Sequence, residues 1–524
     1  MKLRKIKVAA AVGSLTATVA LLAGLSGAQA QGAPGGGSFA GSILLPGTNT
    51  SFKVGGYAKW DYVYDFSQGQ SSEPVNGGFS ATALALDGCN SCGVAVNQAT
   101  GVATGQFVVN PVTGGVFLVN PVAAQAGHNV HGGSQMTASE SRFNIETRTP
   151  TGYGELKTFI EGDFTNPNGL TNSGGLRNTS DSYGFRLRYA YGTLGPVLAG
   201  QYNSLFRDSS AEPETLDFGG DPDAGRTRQP QIRYTFDAGN GLSFAGAAET
   251  PSTSFESNGI TFQNGGSFVN FVNGGFQGGI ATPFTTGSLG VPQVDKLPDF
   301  TGAIRWDQGW GHVEGRAVVR DLGARANLGT VANPVGGGTV VGATSTPINS
   351  GAFGWGLGAS GDLHTWGKDD LTLQISGGQG SGSYISSGNN AIQDALVDAF
   401  GNIQTIASMS AQIGYQHWWT DTLRSNATGG FVYMWQPNCF GCWAPQTTNV
   451  TFSSVATGGV PLFSTVATNY QQAMKYAFTV HANLIWSPVP QVDTGIEYIH
   501  GTKKANNGLV GDGDVMQLST KFKF

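Results

Sequence analysis

Apolar and polar residues alternate one for one along much of this chain. In SRFNIETR (141–148), Phe143 and Ile145 alternate with Arg142, Asn144, Glu146 and Arg148. In FRLRYAY (185–191), Phe185, Leu187, Tyr189 and Tyr191 oppose Arg186 and Arg188. At the end of the chain, Met516, Leu518, Phe522 and Phe524 oppose Gln517, Ser519, Lys521 and Lys523. Successive side chains of a strand point to opposite faces, so each stretch reads as a strand with one apolar and one polar face. Sixteen such stretches of about ten residues, the length a tilted membrane strand needs, can be placed. They centre on Tyr57, Asn144, Phe159, Leu187, Ala199, Arg233, Gly246, Ile304, Ala317, Leu357, Leu373, Ile413, Ala427, Val480, Ile496 and Leu518.

The connections alternate too. Short turns read as TPTGYG, TLGP, DAGNG, DQGWG, HTWGKDD, WTDT and SPVPQ, each with the Gly, Pro, Asn or Asp that turns favour. Long segments rich in Gly, Ser, Thr and Asn separate them, the largest running roughly over 67–136, 250–299, 320–352 and 435–473. An even number of strands, with short turns on one side and long loops on the other, predicts an all-β transmembrane antiparallel β-barrel with short periplasmic turns and long extracellular loops. One loop segment, NAIQDALVDAFGNI, spaces Ile392, Leu396, Ala399, Phe400 and Ile403 as a helix would.

Composition supports the membrane reading. Charged residues are 12% of the 524, about half the usual ~25%, while aromatics reach 10% and glycines number 81. That excludes a disordered chain and an ordinary soluble enzyme. Trp60, Tyr191, Trp306, Trp418, Trp435, Trp486 and Tyr498 are assigned to the apolar face near strand ends, as a headgroup girdle.

The N-terminus predicts export. Lys2, Arg4, Lys5 and Lys7 precede an apolar core from Val8 to Leu22, and Ala28-Gln29-Ala30 fits a cleavage site. Residues 1–30 therefore read as a signal peptide, 31–50 as a Gly-rich segment and 51–524 as the barrel. Cleavage would take the formal net charge from −6 to −10, since it removes four basic residues and no acidic ones. A net-acidic chain without basic runs argues against nucleic acid. His128 and His131 read as part of a solvated Gly-rich loop. The pairs Cys89/Cys92 and Cys439/Cys442 read as loop disulfides in an oxidising compartment rather than as a metal site, with the pairing left open. No G-x-S-x-G or H-E-x-x-H occurs, so neither an enzyme nor a cofactor is expected.

Sixteen strands enclose water. The polar faces aim Arg142, Arg148, Lys157, Arg186, Arg188, Arg233, Arg305, Arg316 and Arg320 inward, with Glu146, Glu155, Glu161, Asp163, Asp237, Glu249 and Glu314 among them. Some of these arginines are expected to serve only as partners to the acids. The preference for Arg over Lys suits bidentate capture of carboxylates, so small anionic solutes are the expected cargo. The loop at 204–227 carries Glu212, Glu214, Asp217, Asp221 and Asp223. Folded inward against the arginines, it would set a transverse field across the channel.

The strings VGGYAKWDYVYDF, SRFNIETRTP, LRYAYGTL, PETLDFGG, RQPQIRYT and WSPVPQVD resemble those of DcaP-like porins of Gram-negative bacteria, most closely over about 52–250 and 476–524. The resemblance implies a homotrimeric outer-membrane porin, embedded in outer-membrane lipid, that passes small organic anions including dicarboxylates. It implies that the loop holding Pro213–Phe218 folds into the pore and that Arg142, Arg186, Arg188 and Arg233 form its basic wall. Phe524 resembles the C-terminal aromatic signal read by the barrel-assembly machinery. Residues 31–50 depart from the family in lacking the heptads of the periplasmic coiled coil that some members carry. The alternatives are a non-selective general diffusion porin and a loop-sealed barrel acting as a surface receptor or adhesin.

Overall fold

The computed structural model describes residues 36–66, 79–84, 133–166, 184–222, 227–256, 294–328, 347–386, 391–398, 401–439 and 473–524, with short pieces at 108–109, 116–117, 262–263, 442, 450–453, 460–463 and 470. The signal-peptide segment, His128, His131, Cys89, Cys92 and Asp223 lie outside the described residues. Sixteen antiparallel strands form one closed barrel, and each of the sixteen predicted centres falls within its own strand. They are β1 (Ser51–Asp65), β2 (Gly133–Thr137 continuing as Arg142–Thr151), β3 (Gly154–Asn166), β4 (Gly184–Leu194), β5 (Val197–Asn203) and β6 (Arg228–Gly239). Next come β7 (Leu242–Glu249), β8 (Asp299–Gln308), β9 (Gly311–Leu328), β10 (Pro347–His364) and β11 (Asp370–Gln379). The wall ends with β12 (Ala407–Trp418), β13 (Leu423–Trp435), β14 (Met474–Val489), β15 (Val492–Ala505) and β16 (Val510–Lys523).

Every strand pairs with its neighbours in sequence, and β1 pairs with β16 at Tyr57 opposite Lys523. Phe524 seals that seam, its N–H donating to the Gly56 carbonyl at 3.0 Å. All seven predicted short turns join strands at one end of the barrel. Asn240, at φ 54°, and the glycines on either side of it supply the left-handed residues that the β6–β7 turn requires.

Alternation separates the faces. Outward residues such as Ile232, Leu357, Ile413 and Val480 are exposed on the isolated chain, whereas inward Gln374, Ser410, Gln412 and Thr479 are buried. With no water in the hydrocarbon to satisfy open backbone groups, a closed barrel is how strands cross a membrane. Trp60, Trp306, Trp435, Trp486 and Tyr498 keep the outward parity, while Trp418 has the inward one, opposite Arg424. The apolar core lies inside the barrel, where Phe79, Leu84, Phe206, Tyr384, Ile385 and Ile392 from the loops meet Val318, Val432 and Ile499 of the wall.

Two loop expectations are corrected. The predicted helix is a hairpin, with Ala395–Val397 paired to Ile403–Thr405. Its apolar residues Ile392, Leu396 and Ile403 are buried, but Gly401 at φ +85° reverses the chain, and Asp398 accepts the Asn402 N–H at 2.8 Å. Ala399 and Phe400 lie outside the described residues. A single helical turn occurs instead at Gly382–Ile385. Much of the 320–352 segment is strand, because β9 and β10 extend to Leu328 and back from Pro347. Cys439 and Cys442 are joined by a disulfide within their own motif.

Candidate functional site: the channel constriction

Of the segment between β5 and β6, residues 204–222 leave the rim and run inside the barrel along the wall from β8 round to β1. Each step is held by a carboxylate or a carbonyl. Asp208 accepts from His312 at 2.7 Å and from Ser360 at 2.6 Å. The Ala211 carbonyl accepts from Gln374 at 3.1 Å. Glu214 receives a bidentate bond from Arg424, 2.6 Å on each side, and the Glu214 carbonyl accepts from Asn483 at 2.9 Å. The tip is clamped by Glu497, whose two oxygens accept the N–H groups of Leu216 and Asp217 at 2.8 and 2.9 Å. The Leu216 carbonyl accepts from Lys59 at 2.9 Å and from Gln517 at 3.1 Å. Asp221 accepts from Thr479 at 2.7 Å and Gln412 at 3.1 Å, and also bonds Thr428.

Burial would raise the Asp208 carboxyl, but the hydrogen bonds from His312 and Ser360 outweigh it and hold it well below the usual carboxylate range. Asp217 is fully enclosed, and burial pushes its carboxyl up to about 6 against the pull of the His481 charge. Asp217 accepts the N–H of Phe79 at 2.8 Å and of Gly220 at 2.7 Å.

The arginine wall stands opposite, on β2 to β6. Arg186 grips Asp163 with two bonds of 3.0 and 2.8 Å, and Arg188 bridges Glu161 and Asp163 at 2.9 Å each. Arg142 reaches Glu161 at 3.4 Å, so three arginines share two carboxylates. Arg233 lies 5.2 Å from the Tyr202 ring centroid and bonds Gln231 and the Asn203 carbonyl. Arg228 lies 5.6 Å from the ring centroid of Tyr189. Among the described residues neither Arg228 nor Arg233 makes an ion pair.

The described acids of the loop do not pair with this wall as the transverse-field expectation required. Glu214 turns to β13, Asp221 to β12–β14, and Glu212 pairs with Arg207 of its own loop at 2.8 Å. Phe218 is what the loop presents to the arginines, 5.3 Å from Arg186 and 5.5 Å from Arg188. The other predicted basic residues lie elsewhere. Arg148 and Lys157 share Glu146 near the β2–β3 turn, and Arg305 joins Asp307, Asp208 and Glu314 beside the β8–β9 turn. Arg316 is sealed behind the loop, against Phe206 and Gln374. Arg320 is corrected from lining to scaffold, because its fully enclosed guanidinium bonds Asp299 at 3.0 Å and Asp394 at 2.8 Å.

Two features escaped the sequence reading. Glu161 pairs with Tyr189 and Gly162 with Leu187, so Arg188 is the extra residue of a β-bulge. The parity flips there, and Tyr189 and Tyr191 point inward with Phe159 and Tyr202 instead of joining the outer apolar face. Arg228, first residue of β6, carried no signal because its parity matches outward Ile232.

A closed, even-stranded barrel that is apolar outside, polar inside and narrowed by an inward loop is an outer-membrane channel of the porin kind. Residues 40–521 match the family model described as Porin subfamily, and the chain belongs to that family. The fold is similar to that of the outer membrane channel DcaP of Acinetobacter baumannii, with a TM-score of 0.58 at 17% identity, over 91% of this chain and 97% of that one. The anion-selective porin from Comamonas acidovorans aligns with a TM-score of 0.44 at 9% identity, over 91% and 100% of the two chains. The trimer form of OmpT of Vibrio cholerae gives 0.43 at 8%, over 91% and 99%. No curated protein matches the chain by sequence.

Proposed function

We propose that this porin admits small organic anions, dicarboxylates among them, past the strip formed by Arg142, Arg186, Arg188, Arg228 and Arg233. The observation that carries the reading is the surplus of positive charge: three arginines divide two carboxylates, and the two beside them pair with none among the described residues. A guanidinium fork binds a carboxylate through two parallel hydrogen bonds, and a narrow low-dielectric passage focuses its field. Arg148, Lys157 and Arg305, paired at the short-turn rim, would act on solutes only at the exit.

Residues 1–30 would direct export and be cleaved, Phe524 would serve as the assembly signal read by the barrel-assembly machinery, and the working unit would be a homotrimer in outer-membrane lipid. The test is the reversal potential of the purified channel in a salt gradient. Wild type should prefer anions, and R228A/R233A should move the potential toward the cation side. An unchanged potential would favour a general diffusion porin, a reading that the pairing of most lumen arginines supports. A channel that carries no current would favour a loop-sealed receptor.

A further inference from the structure

The inner face of β8–β11 near the short-turn rim differs from the arginine wall. Cross-strand pairing lines up Asp307 with His312, His312 with Asp362, and His364 with Asp370. Asp362 and His364 share the inward parity of Ser360, while Leu363 between them faces outward. We propose that Asp362, His364 and Asp370 form a binding site for a divalent transition-metal cation such as Zn²⁺ at this mouth of the channel.

Three observations carry it. One ligand atom from each residue lies within 4.8 Å of the other two, and His364 Nδ1 is 2.6 Å from Asp370 Oδ1. The Asp362 Oδ1 atom is buried without a hydrogen-bond partner among the described residues, next to this cluster. An acceptor left without a donor in such a place costs free energy that a cation would recover. Lastly, two carboxylates face one imidazole, and the bases of the two neighbouring turns are engaged elsewhere, Lys368 with Asp421 and Arg305 with Asp208, Asp307 and Glu314. Two oxygens and an imidazole nitrogen suit Zn²⁺, Cu²⁺ or Ni²⁺ better than the all-oxygen cations Ca²⁺ or Mg²⁺. His364 is largely exposed, so water can complete the shell and the ion can exchange. A bound dication would cancel the acidic character of this rim and so alter the ion flow through it.

The experiment is a Zn²⁺ titration of the purified channel in a planar bilayer, with the metal added from the short-turn side and reversed by a chelator. Wild type should show a saturable, chelator-reversible change in conductance. H364A and D362N, altered at a solvent-facing rim, should each weaken the apparent affinity about tenfold or more, as loss of metal-site groups does. H500A, on the outer face against Asp514, should respond as wild type does. No response in wild type would overturn the site. So would a response that survives intact in H364A and D362N, or one that is lost in H500A. None of these outcomes depends on the anion preference.

Discussion

The guanidinium of Arg186 stands 5.3 Å from the ring centroid of Phe218. That contact joins the barrel wall to the inward loop through an aromatic ring instead of an acid, which makes Phe218 the side chain expected to narrow the passage there. A cation over a ring is worth about 0.5–2 kcal/mol, enough to bias the position of Phe218 and too little to hold the loop. F218A should therefore raise single-channel conductance while leaving the thermal unfolding temperature nearly unchanged. Unaltered conductance would show that the narrowest point lies elsewhere.

Glu497 does hold the loop. Both of its oxygens accept buried N–H groups at the tip, and it also accepts from Asn483 at 2.8 Å. Removing the acceptor leaves two buried donors unmatched, each costing about 1–3 kcal/mol. In E497A the tip should leave the wall, seen as greater open-channel current noise, while the barrel still folds. A trace as quiet as that of wild type would refute the clamp.

The strands and their hairpin turns were readable because the pleat gives a period of two that a lipid-facing row makes stark: Phe185 and Leu187 against Arg186 can be arranged in only one way. What failed to show was set by single residues that break the period. The bulge at Arg188 turns Tyr189 and Tyr191 inward, and no pattern of apolar and polar positions announces an inserted residue. The acids of the 204–227 loop were visible, but which wall they would meet depends on Arg424, His312 and Thr479, 104 to 258 residues along the chain. Long-range pairing of that kind leaves no local trace.

Asp217 gives the loop a pH dependence whose sign can be worked out. Docking raises its carboxyl from 3.8 to about 6, through burial. A carboxyl raised on docking favours the docked state when protonated, so its contribution is complete below about pH 4 and fades as pH rises through 6. A shift of two units corresponds to an order of 3 kcal/mol. Open-channel noise should accordingly be lowest near pH 4 and grow toward pH 7. D217N, neutral at every pH, should flatten that profile; a profile as steep as wild type would assign the dependence to another group.

Arg186 and Arg320 look alike in sequence, each on the polar face of a strand, yet they should fail in opposite ways. Arg320 is enclosed, bonded to Asp299 and Asp394, and also donates to the carbonyls of Gly380 at 3.1 Å and Ser252 at 2.7 Å. R320A strands two buried carboxylates, and breaking a buried pair from one side costs about 3–5 kcal/mol. Its thermal unfolding should fall clearly, with ion selectivity retained in the channels that fold. Arg186 is about a third exposed, and its partner Asp163 keeps Arg188 and Thr165 when it is removed. R186A should therefore unfold close to wild type and show a reversal potential displaced toward cations. If R320A changes selectivity as much as R186A does, the division between scaffold and strip is wrong, and the passage runs on both sides of the loop.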